Sequence, residues 1–308
     1  MRARFVAAPG ALLVACAAAL WGSDALLRQP LADSTAAATI VFGEHVVLVL
    51  LALPLVPAAL AAVFRAGLRY VAAAVVIVVG ASAVATILFT QAFVEGDPVT
   101  PVVLQKVQPL VAVVGAWLLL GERPRRRFGW FLVGGLIGTW LIAFPSPLDV
   151  QLNAALPALY AITAAVLWAL GTVLGRLLAT VLRFEHVAAL RFTFGLPASA
   201  VAVVVVGAPF FAGGRDFAWI AALAVVTGAI ALPLYYYGLQ RTPAVIAALA
   251  ELAFPITATA VGYFAFGRTL DASQWLGVAI TSFVVLLLPV TGPRVVRVGR
   301  EKLAPATG

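Results

Sequence analysis

The feature that most constrains the fold is a series of apolar runs of about 20 residues, separated by charged or Pro/Gly-rich breaks. A helix of that length spans about 30 Å, which is the thickness of the hydrocarbon core of a bilayer. Soluble domains carry roughly 25% charged residues, whereas this chain has 10% charged and 64% hydrophobic residues. The chain is therefore expected to be an integral, all-α membrane protein.

The apolar runs predict ten transmembrane helices. The breaks between them are short, so no inserted soluble domain is expected. The expected spans lie near residues 11–31, 36–60, 70–94, 98–120, 128–145, 154–176, 186–208, 217–239, 243–266 and 273–291.

The charged residues predict the orientation of these spans. The net charge is +8, yet no basic and aromatic domain suited to nucleic acid is present. With the N-terminus in the cytoplasm, only Arg28, Arg215 and Arg268 fall on the outer side, and Lys106 and Arg191 lie within spans. All other Lys and Arg residues are then cytoplasmic, as the positive-inside rule requires. We therefore expect a multi-pass protein of the inner or plasma membrane with both termini inside.

The two halves of the chain resemble each other. "AALWGSDALLRQPL" resembles "AVLWALGTVLGRLL", and "LQKVQPLVAVVGAWLLLGERP" resembles "LAELAFPITATAVGYFAFGRT", both at an offset of about 146 residues. This alignment sets Pro109 on Pro255 and Gly121 on Gly267. The repetition predicts two units of five spans.

An odd number of spans requires the second unit to enter the membrane from the opposite side. The predicted boundaries are 1–147 for the first repeat, 148–293 for the inverted second repeat and 294–308 for a basic cytoplasmic tail. Inverted repeats are typical of secondary transporters, whose substrate site lies near the bilayer midplane between the halves.

Several short motifs are similar to those of the EamA family of the drug/metabolite transporter superfamily. They are Trp21-Gly22 with Arg28, Trp168 with Gly171 and Arg176, the "LLLGERP" end of the fourth span, and "YYYGLQRTPAVIAALAELAFP" before the ninth. The resemblance implies a ten-helix carrier of small metabolites, often amino acids or drugs, that commonly works as an exporter. Glu44 stands near a position where an arginine is common in that family, and Asp24 stands where a small polar residue is usual, so the resemblance leaves the substrate class open.

Two charged residues lie deep within the spans. Lys106 and Glu251 are each about eight residues into a span, or about 12 Å deep. A charge there costs roughly 2.5–3.5 kcal/mol unless it faces a partner or a cavity. Pro109 and Pro255 are expected to kink these helices and to free the carbonyls of Gln105 and Glu251, four residues earlier. Such carbonyls are tolerated only inside protein or beside a watery cavity.

These observations predict a central substrate site. Its expected residues are Lys106, Glu251, Gln105, Gln108, Asp24, Trp21, Trp168 and Tyr236. The alternative is that Lys106 and Glu251 pair with each other, or with Asp24 or Glu44, and only hold helices together. Tyr235, Tyr236 and Tyr237 could equally belong to an interfacial aromatic belt.

Proton coupling has three candidates in the sequence, Glu251, Glu44 and His45. Glu251 is the preferred one if a proton gradient drives export. Glu122 is expected to fix the loop that follows the fourth span. Two histidines and one cysteine do not suffice for a convincing metal site or an internal disulfide, and no cofactor is expected.

The leading hypothesis is a carrier that exports amino-acid-like metabolites by alternating access and is not an enzyme. Lys106 would meet a carboxylate, and Glu251 or Asp24 would meet an ammonium group. The first alternative is an exporter of apolar cations. The second is an intramembrane lipid-modifying enzyme, for which no convincing nucleophile and base are present. The expected partners are a small-molecule substrate, the lipid bilayer and, as a candidate coupling ion, the proton, while the sequence leaves the oligomeric state open.

Overall fold

The computed structural model describes residues 8–31, 34–85, 88–89, 92, 104–105, 107–124, 126–144, 146, 148, 155–291 and 296–297. Almost all of these residues are helical, so the predicted all-α class is confirmed. The helices of the first half are α1 (Ala8–Gly22), α2 (Ala25–Arg28), α3 (Ala37–Ala52), α4 (Val56–Ala66), α5 (Leu68–Val75), α6 (Gln108–Leu120) and α7 (Arg126–Ala143).

The second half is also helical. Its helices are α8 (Ala155–Leu178), α9 (Phe184–Val206), α10 (Gly214–Leu223), α11 (Ala231–Leu239), α12 (Ala244–Ala250), α13 (Ala253–Phe264) and α14 (Ala272–Thr291).

Within the described residues, six helical stretches are long and apolar enough to cross a membrane, and four further apolar helices are shorter. The protein is therefore a multi-pass membrane protein. The long stretches are Gly10–Leu31, Ala37–Ala66, Ala155–Leu178, Phe184–Val206, Gly214–Leu239 and Ala244–Phe264. The shorter ones are Leu68–Ser82, Gln108–Leu120, Arg127–Ala143 and Ala272–Leu288.

The ninth expected span is interrupted at its centre. Helix α12 ends at Ala250, and α13 begins at Ala253 after a turn at Glu251 and Leu252. Pro255 lies in the first turn of α13, where its missing N–H removes no intrahelical hydrogen bond. The backbone is therefore reoriented at the residue that carries the buried carboxylate.

The structure corrects the expectation that Pro255 leaves the carbonyl of Glu251 without a hydrogen bond. The carbonyl of Glu251 accepts a hydrogen bond from the N–H of Phe254 at 3.0 Å, so it is not left without a partner. The turn at the break supplies an i to i+3 bond in place of the one that Pro255 cannot donate. Pro109 similarly lies in the first turn of α6, where a proline starts a helix.

Two π-helical segments occur at related positions of the two halves. Helix α5 continues as Val76–Val84, and α10 continues as Ala224–Ile230. Shifting the first segment by the repeat offset of about 146 residues brings it onto the second. Wider π turns displace backbone carbonyls from regular helical bonding and often occur at functional sites.

Small residues allow the helices to approach closely. A Cβ added at Gly22 of α1 would meet the Phe254 carbonyl of α13 at 2.5 Å, and one at Gly277 of α14 would meet the Gly138 carbonyl of α7 at 2.6 Å. Such contacts are typical of helix association in lipid, where close packing replaces the hydrophobic effect. The outward faces carry large apolar side chains such as Leu118, which is 65% exposed, as a lipid-facing surface should.

The repeat alignment also places two helix ends on each other. Gly121 follows α6 with a φ of 67°, and Gly267 follows α13 with a φ of 64°. These left-handed conformations suit glycine, which lacks a Cβ. Beyond Gly121, the strand β1 (Glu122–Arg123) pairs with β2 (Val296–Arg297) from the C-terminal tail, so this part of the tail lies against the loop after α6.

Candidate functional site

The centre of the candidate site is the carboxylate of Glu251, at the break between α12 and α13. The Tyr235 hydroxyl donates to its Oε1 at 2.7 Å, and the Thr172 hydroxyl donates to the same atom at 3.1 Å. The Gln108 amide donates to Oε2 at 3.5 Å. All three donors are uncharged, so the carboxylate is hydrogen-bonded without an ion pair among the described residues.

The donors come from helices that are distant in the sequence. Gln108 begins α6, Thr172 lies on α8 and Tyr235 lies on α11. Gln108 belongs to the first half of the chain, and the other two residues belong to the second. The carboxylate therefore lies where the two halves meet.

The exposure of Glu251 differs from that of the residues around it. Every residue from Ala244 to Ala250 is at most 5% exposed, and Leu252 and Ala253 are each 8% exposed. Glu251 is only half-buried. Its donors Thr172 and Tyr235 are buried, so Glu251 keeps more accessible surface than these two residues that hold its carboxylate.

Aromatic rings form one side of this site. The Trp21 and Tyr235 ring centroids are 5.1 Å apart with a tilt of 45°, and those of Tyr235 and Tyr236 are 5.4 Å apart. The Trp21 indole N–H donates to the Thr227 carbonyl at 2.8 Å. Thr227 lies in the second π segment, which thus provides the acceptor that orients the indole ring.

Arg191 of α9 lies next to this aromatic group. Its guanidinium donates to the Ser82 hydroxyl at 3.0 Å and to the Tyr236 hydroxyl at 3.4 Å. Ser82 lies in the first π segment. A chain of contacts therefore links the half-buried Arg191 to Glu251. Arg191 bonds to Tyr236, the Tyr236 ring packs against Tyr235, and Tyr235 bonds to the carboxylate.

A second charged cluster is centred on Arg28. Its guanidinium lies 3.2 Å from Asp24 and 3.3 Å from Glu44. His45 of α3 has Nδ1 2.8 Å from the Val41 carbonyl, and its ring packs against Gly195 of α9. The described residues contain no group of three or more His, Cys, Asp and Glu side chains placed to hold a metal ion.

A third charged pair lies where α6 ends. Glu122, 2% exposed, is 3.7 Å from the guanidinium of Arg176 on α8. Arg176 also donates to the carbonyls of Leu239 and Gln240, at 2.6 and 2.7 Å. This pair ties the loop after α6 to the end of α11, and so joins elements from both halves.

The structure brings some of the expected site residues together. Gln108, Glu251 and Trp21 belong to one group, and Tyr236 borders it. Gln105 is half-buried one turn before α6. Lys106 lies outside the described residues.

Other expected site residues are placed elsewhere. Asp24 contacts Arg28, and Trp168 packs against Phe89 with ring centroids 5.0 Å apart. Among the three consecutive tyrosines, only Tyr237 is substantially exposed, at 37%, and it stacks on Arg241. An interfacial belt therefore suits Tyr237, whereas Tyr235 and Tyr236 point into the bundle.

Sequence reasoning missed Thr172 altogether. It is one small polar residue in a long apolar helix, between Gly171 and Val173. Its distance from Arg176 is four residues, which places both on one face of α8. This shared face was the available signal, since Thr172 contacts Glu251 and Arg176 contacts Glu122.

The fold and the site together define a multi-pass helical membrane protein with a polar centre between its two sequence halves. The model of the EamA-like transporter family matches residues 8–144 and again residues 155–289. The chain belongs to this family. It is therefore a transporter, and the expectation that it is not an enzyme agrees with this family.

Two relatives support the same assignment. The chain is 29% identical to the riboflavin transporter ImpX of Fusobacterium nucleatum subsp. nucleatum, over 91% of this chain and 96% of that protein. It is 26% identical to the uncharacterized transporter YwfM of Bacillus subtilis, over 66% of this chain and 68% of that protein. A solved crystal structure with 19% identity superposes with a TM-score of 0.69 and covers 91% of this chain and 96% of that one, which shows a common fold.

Proposed function

We propose that this protein is a secondary transporter that exports small amino-acid-like metabolites by alternating access around Glu251. In this proposal its ten transmembrane helices form two inverted five-helix repeats, and both termini are cytoplasmic. The observation that carries the proposal is the half-buried carboxylate of Glu251, held by donors from both halves of the chain. Relative movement of the halves would separate Gln108 from Glu251 and so alter the site.

The chemistry of the site favours a substrate with a positive group. When it is ionised, the Glu251 carboxylate has no ion-pair partner among the described side chains, and a substrate ammonium group would supply one. The rings of Trp21 and Tyr235 offer π faces to the same cation. A substrate ammonium group would therefore bind between Glu251 and these rings.

The opposite end of a zwitterionic substrate requires a cation. Lys106 is the candidate from the sequence, and Arg191 is a half-buried cation that borders the site through Tyr236. Either residue would pair with a carboxylate. Arg28 is less suitable because Asp24 and Glu44 already compensate its charge.

Two other substrate classes compete with this one. The Trp21–Tyr235 pair beside a carboxylate also suits an apolar organic cation. The similarity to a protein named a riboflavin transporter suggests planar heteroaromatic compounds as a further substrate class. Such compounds would stack on the same rings. These classes differ in the groups they need, since only the amino-acid-like substrate requires a cation in the protein.

The test is a transport panel in proteoliposomes with the purified protein. It should contain a radiolabelled set of amino acids, a lipophilic quaternary ammonium compound and riboflavin, each measured with and without a proton gradient. We expect saturable movement of an amino-acid-like compound, which Lys106→Gln or Arg191→Gln should reduce. Glu251→Gln should reduce it as well.

The variants separate the alternatives. In one outcome, transport of the quaternary ammonium compound depends on Glu251 and is insensitive to Lys106→Gln and Arg191→Gln. That result would favour an exporter of organic cations over an exporter of amino-acid-like compounds. Riboflavin movement that depends on Trp21 would instead favour a transporter of planar heteroaromatic compounds. Normal transport of every compound by Glu251→Gln would contradict the assignment of Glu251 to the substrate site. It would not affect the assignment of the chain to its family.

A further inference from the structure

One end of the helical bundle is rich in arginine. Arg65 lies in the last turn of α4, Arg69 lies in the first turn of α5, and Arg183 precedes α9. Arg176 and Glu122 place the end of α8 beside the loop after α6, where Arg123 is exposed. By the positive-inside rule, such an accumulation of cations is expected on the cytoplasmic side.

A groove of about 510 Å³ lies at this end. It is bounded by the α4–α5 turn on one side and by the turn between α8 and α9 on the other. Its polar lining consists of Arg65, Tyr70, Arg183 and His186. The transport site around Glu251 contributes none of these residues, so the groove is a separate feature.

The charge of the groove is positive. Arg65 bonds through its Nε to the Ala61 carbonyl, and within the described part of the chain no carboxylate lies at ion-pair distance from it. Arg183 contacts Glu185, yet its side chain is still 76% exposed. Arg69 adds a further cation, 5.9 Å above the ring of Tyr70. One carboxylate among three arginines leaves an excess suited to an anion.

The walls of the groove are apolar. Ala62 and Ala66 line one side, and Leu182 lines the other. Val181, which also lines the groove, is 47% exposed, and Leu68 at the start of α5 is 83% exposed. A free inorganic anion would use only the arginines, whereas a phospholipid would use both the cationic rim and the apolar wall.

We propose that this groove binds the phosphate head group of an anionic phospholipid of the inner leaflet, with Arg65 and Arg183 as its cationic ligands. Basic pockets between helices at the cytoplasmic surface have the chemistry to hold such head groups. Tyr70 would donate a hydrogen bond to the phosphate, and an acyl chain would follow the surface around Leu68. A bound lipid would connect the α4–α5 turn of the first half to the α8–α9 turn of the second.

The test is native mass spectrometry of the purified full-length protein, titrated with phosphatidylglycerol, with phosphatidylcholine and with inorganic phosphate. The variant Arg65→Gln/Arg183→Gln removes both cationic ligands. The variant Ala66→Leu narrows the groove without changing charge. The matched control is Arg127→Gln, which removes an exposed arginine from the first turn of α7, outside the groove.

We expect the wild type and the control to retain one phosphatidylglycerol in preference to phosphatidylcholine. Each arginine removed should weaken retention roughly fivefold, since a basic residue near an anionic surface contributes about 1 kcal/mol. Ala66→Leu should weaken it too. Equal retention by the double variant, or an equal loss in Arg127→Gln, would contradict the proposal. Displacement of the lipid by inorganic phosphate at similar concentration would show a soluble-anion site instead.

Discussion

The hydroxyl of Tyr235 on α11 donates a hydrogen bond of 2.7 Å to the carboxylate of Glu251, which lies at the break between α12 and α13. The same ring stacks on Trp21 of α1. Tyr235 thus connects the aromatic side of the candidate site to its charged centre. Binding of a substrate to Glu251, or a change in its protonation, would therefore alter the packing of α1 against α11.

The hydroxyl of Tyr235 can be removed while its ring stays in place. Tyr235→Phe keeps the contact with Trp21 and deletes one hydrogen bond to a charged acceptor, which is worth about 1.5–3 kcal/mol. We expect the transport rate to fall about tenfold or more, with little change in the amount of folded protein. Rates in proteoliposomes provide the measurement. The matched control is Tyr237→Phe, at an exposed position, and an equal loss in both variants would argue against a specific role for the Tyr235 hydroxyl.

The pH dependence of transport tests Glu251 as the proton carrier. Glu251→Gln retains the shape and the hydrogen-bonding capacity of the side chain but cannot gain or lose a proton. If the proton is carried there, residual transport by the variant should no longer vary with pH or respond to a proton gradient. Rates are measured over a pH series with and without an imposed gradient. If the variant keeps the full wild-type pH profile, Glu251 is not the proton carrier. Glu44 and His45 are then the next residues to replace.

The buried Glu122–Arg176 pair should contribute to stability. Removing one member of a buried pair costs about 3–5 kcal/mol because the other charge is left uncompensated. We expect Glu122→Gln and Arg176→Met each to lower the Tm in detergent by several degrees, and the double variant to lose less than the sum of the two. Arg183→Gln is the comparison, since Arg183 is 76% exposed and its pair with Glu185 should contribute at most about 1 kcal/mol. Additive losses in the double variant would mean that the two side chains do not interact.

The orientation of the chain can be tested by labelling. Cys16 is replaced by alanine, and single cysteines are introduced at Arg127 and at Arg215, both exposed. An impermeant thiol reagent added to whole cells should modify position 215 and leave position 127 unmodified until the membrane is permeabilised. The reason is the concentration of arginine at the end that contains Arg127. Rapid external labelling at position 127 would reverse the predicted topology.

Some of the site was accessible to sequence reasoning. The depth of Glu251 within its apolar run and the following Pro255 pointed to a polar position where the helix is irregular. The alignment of the halves set Gln105 against Glu251, and Gln108 was expected at the site as a polar residue of the same apolar run. These inferences rest on local properties, because the length of a span and the effect of a proline depend on the backbone hydrogen bonds of that one segment.

The partners of the charged residues could not be predicted from the sequence. Asp24 was expected beside Glu251, yet it contacts Arg28, and Thr172 was not anticipated at all. Which side chain reaches which depends on the rotation and crossing of each helix, and these follow from the fit of small residues such as Gly22 against a neighbouring backbone.

The α-helical membrane class of this protein was predictable from its amino-acid sequence, because hydrocarbon demands long apolar runs whose backbone bonds are satisfied internally. The tertiary structure decided that Glu251 is held by Gln108, Thr172 and Tyr235. A carboxylate inside a membrane accepts whatever donors the packed helices bring within hydrogen-bonding distance, and no local pattern in one helix specifies the side chains of another.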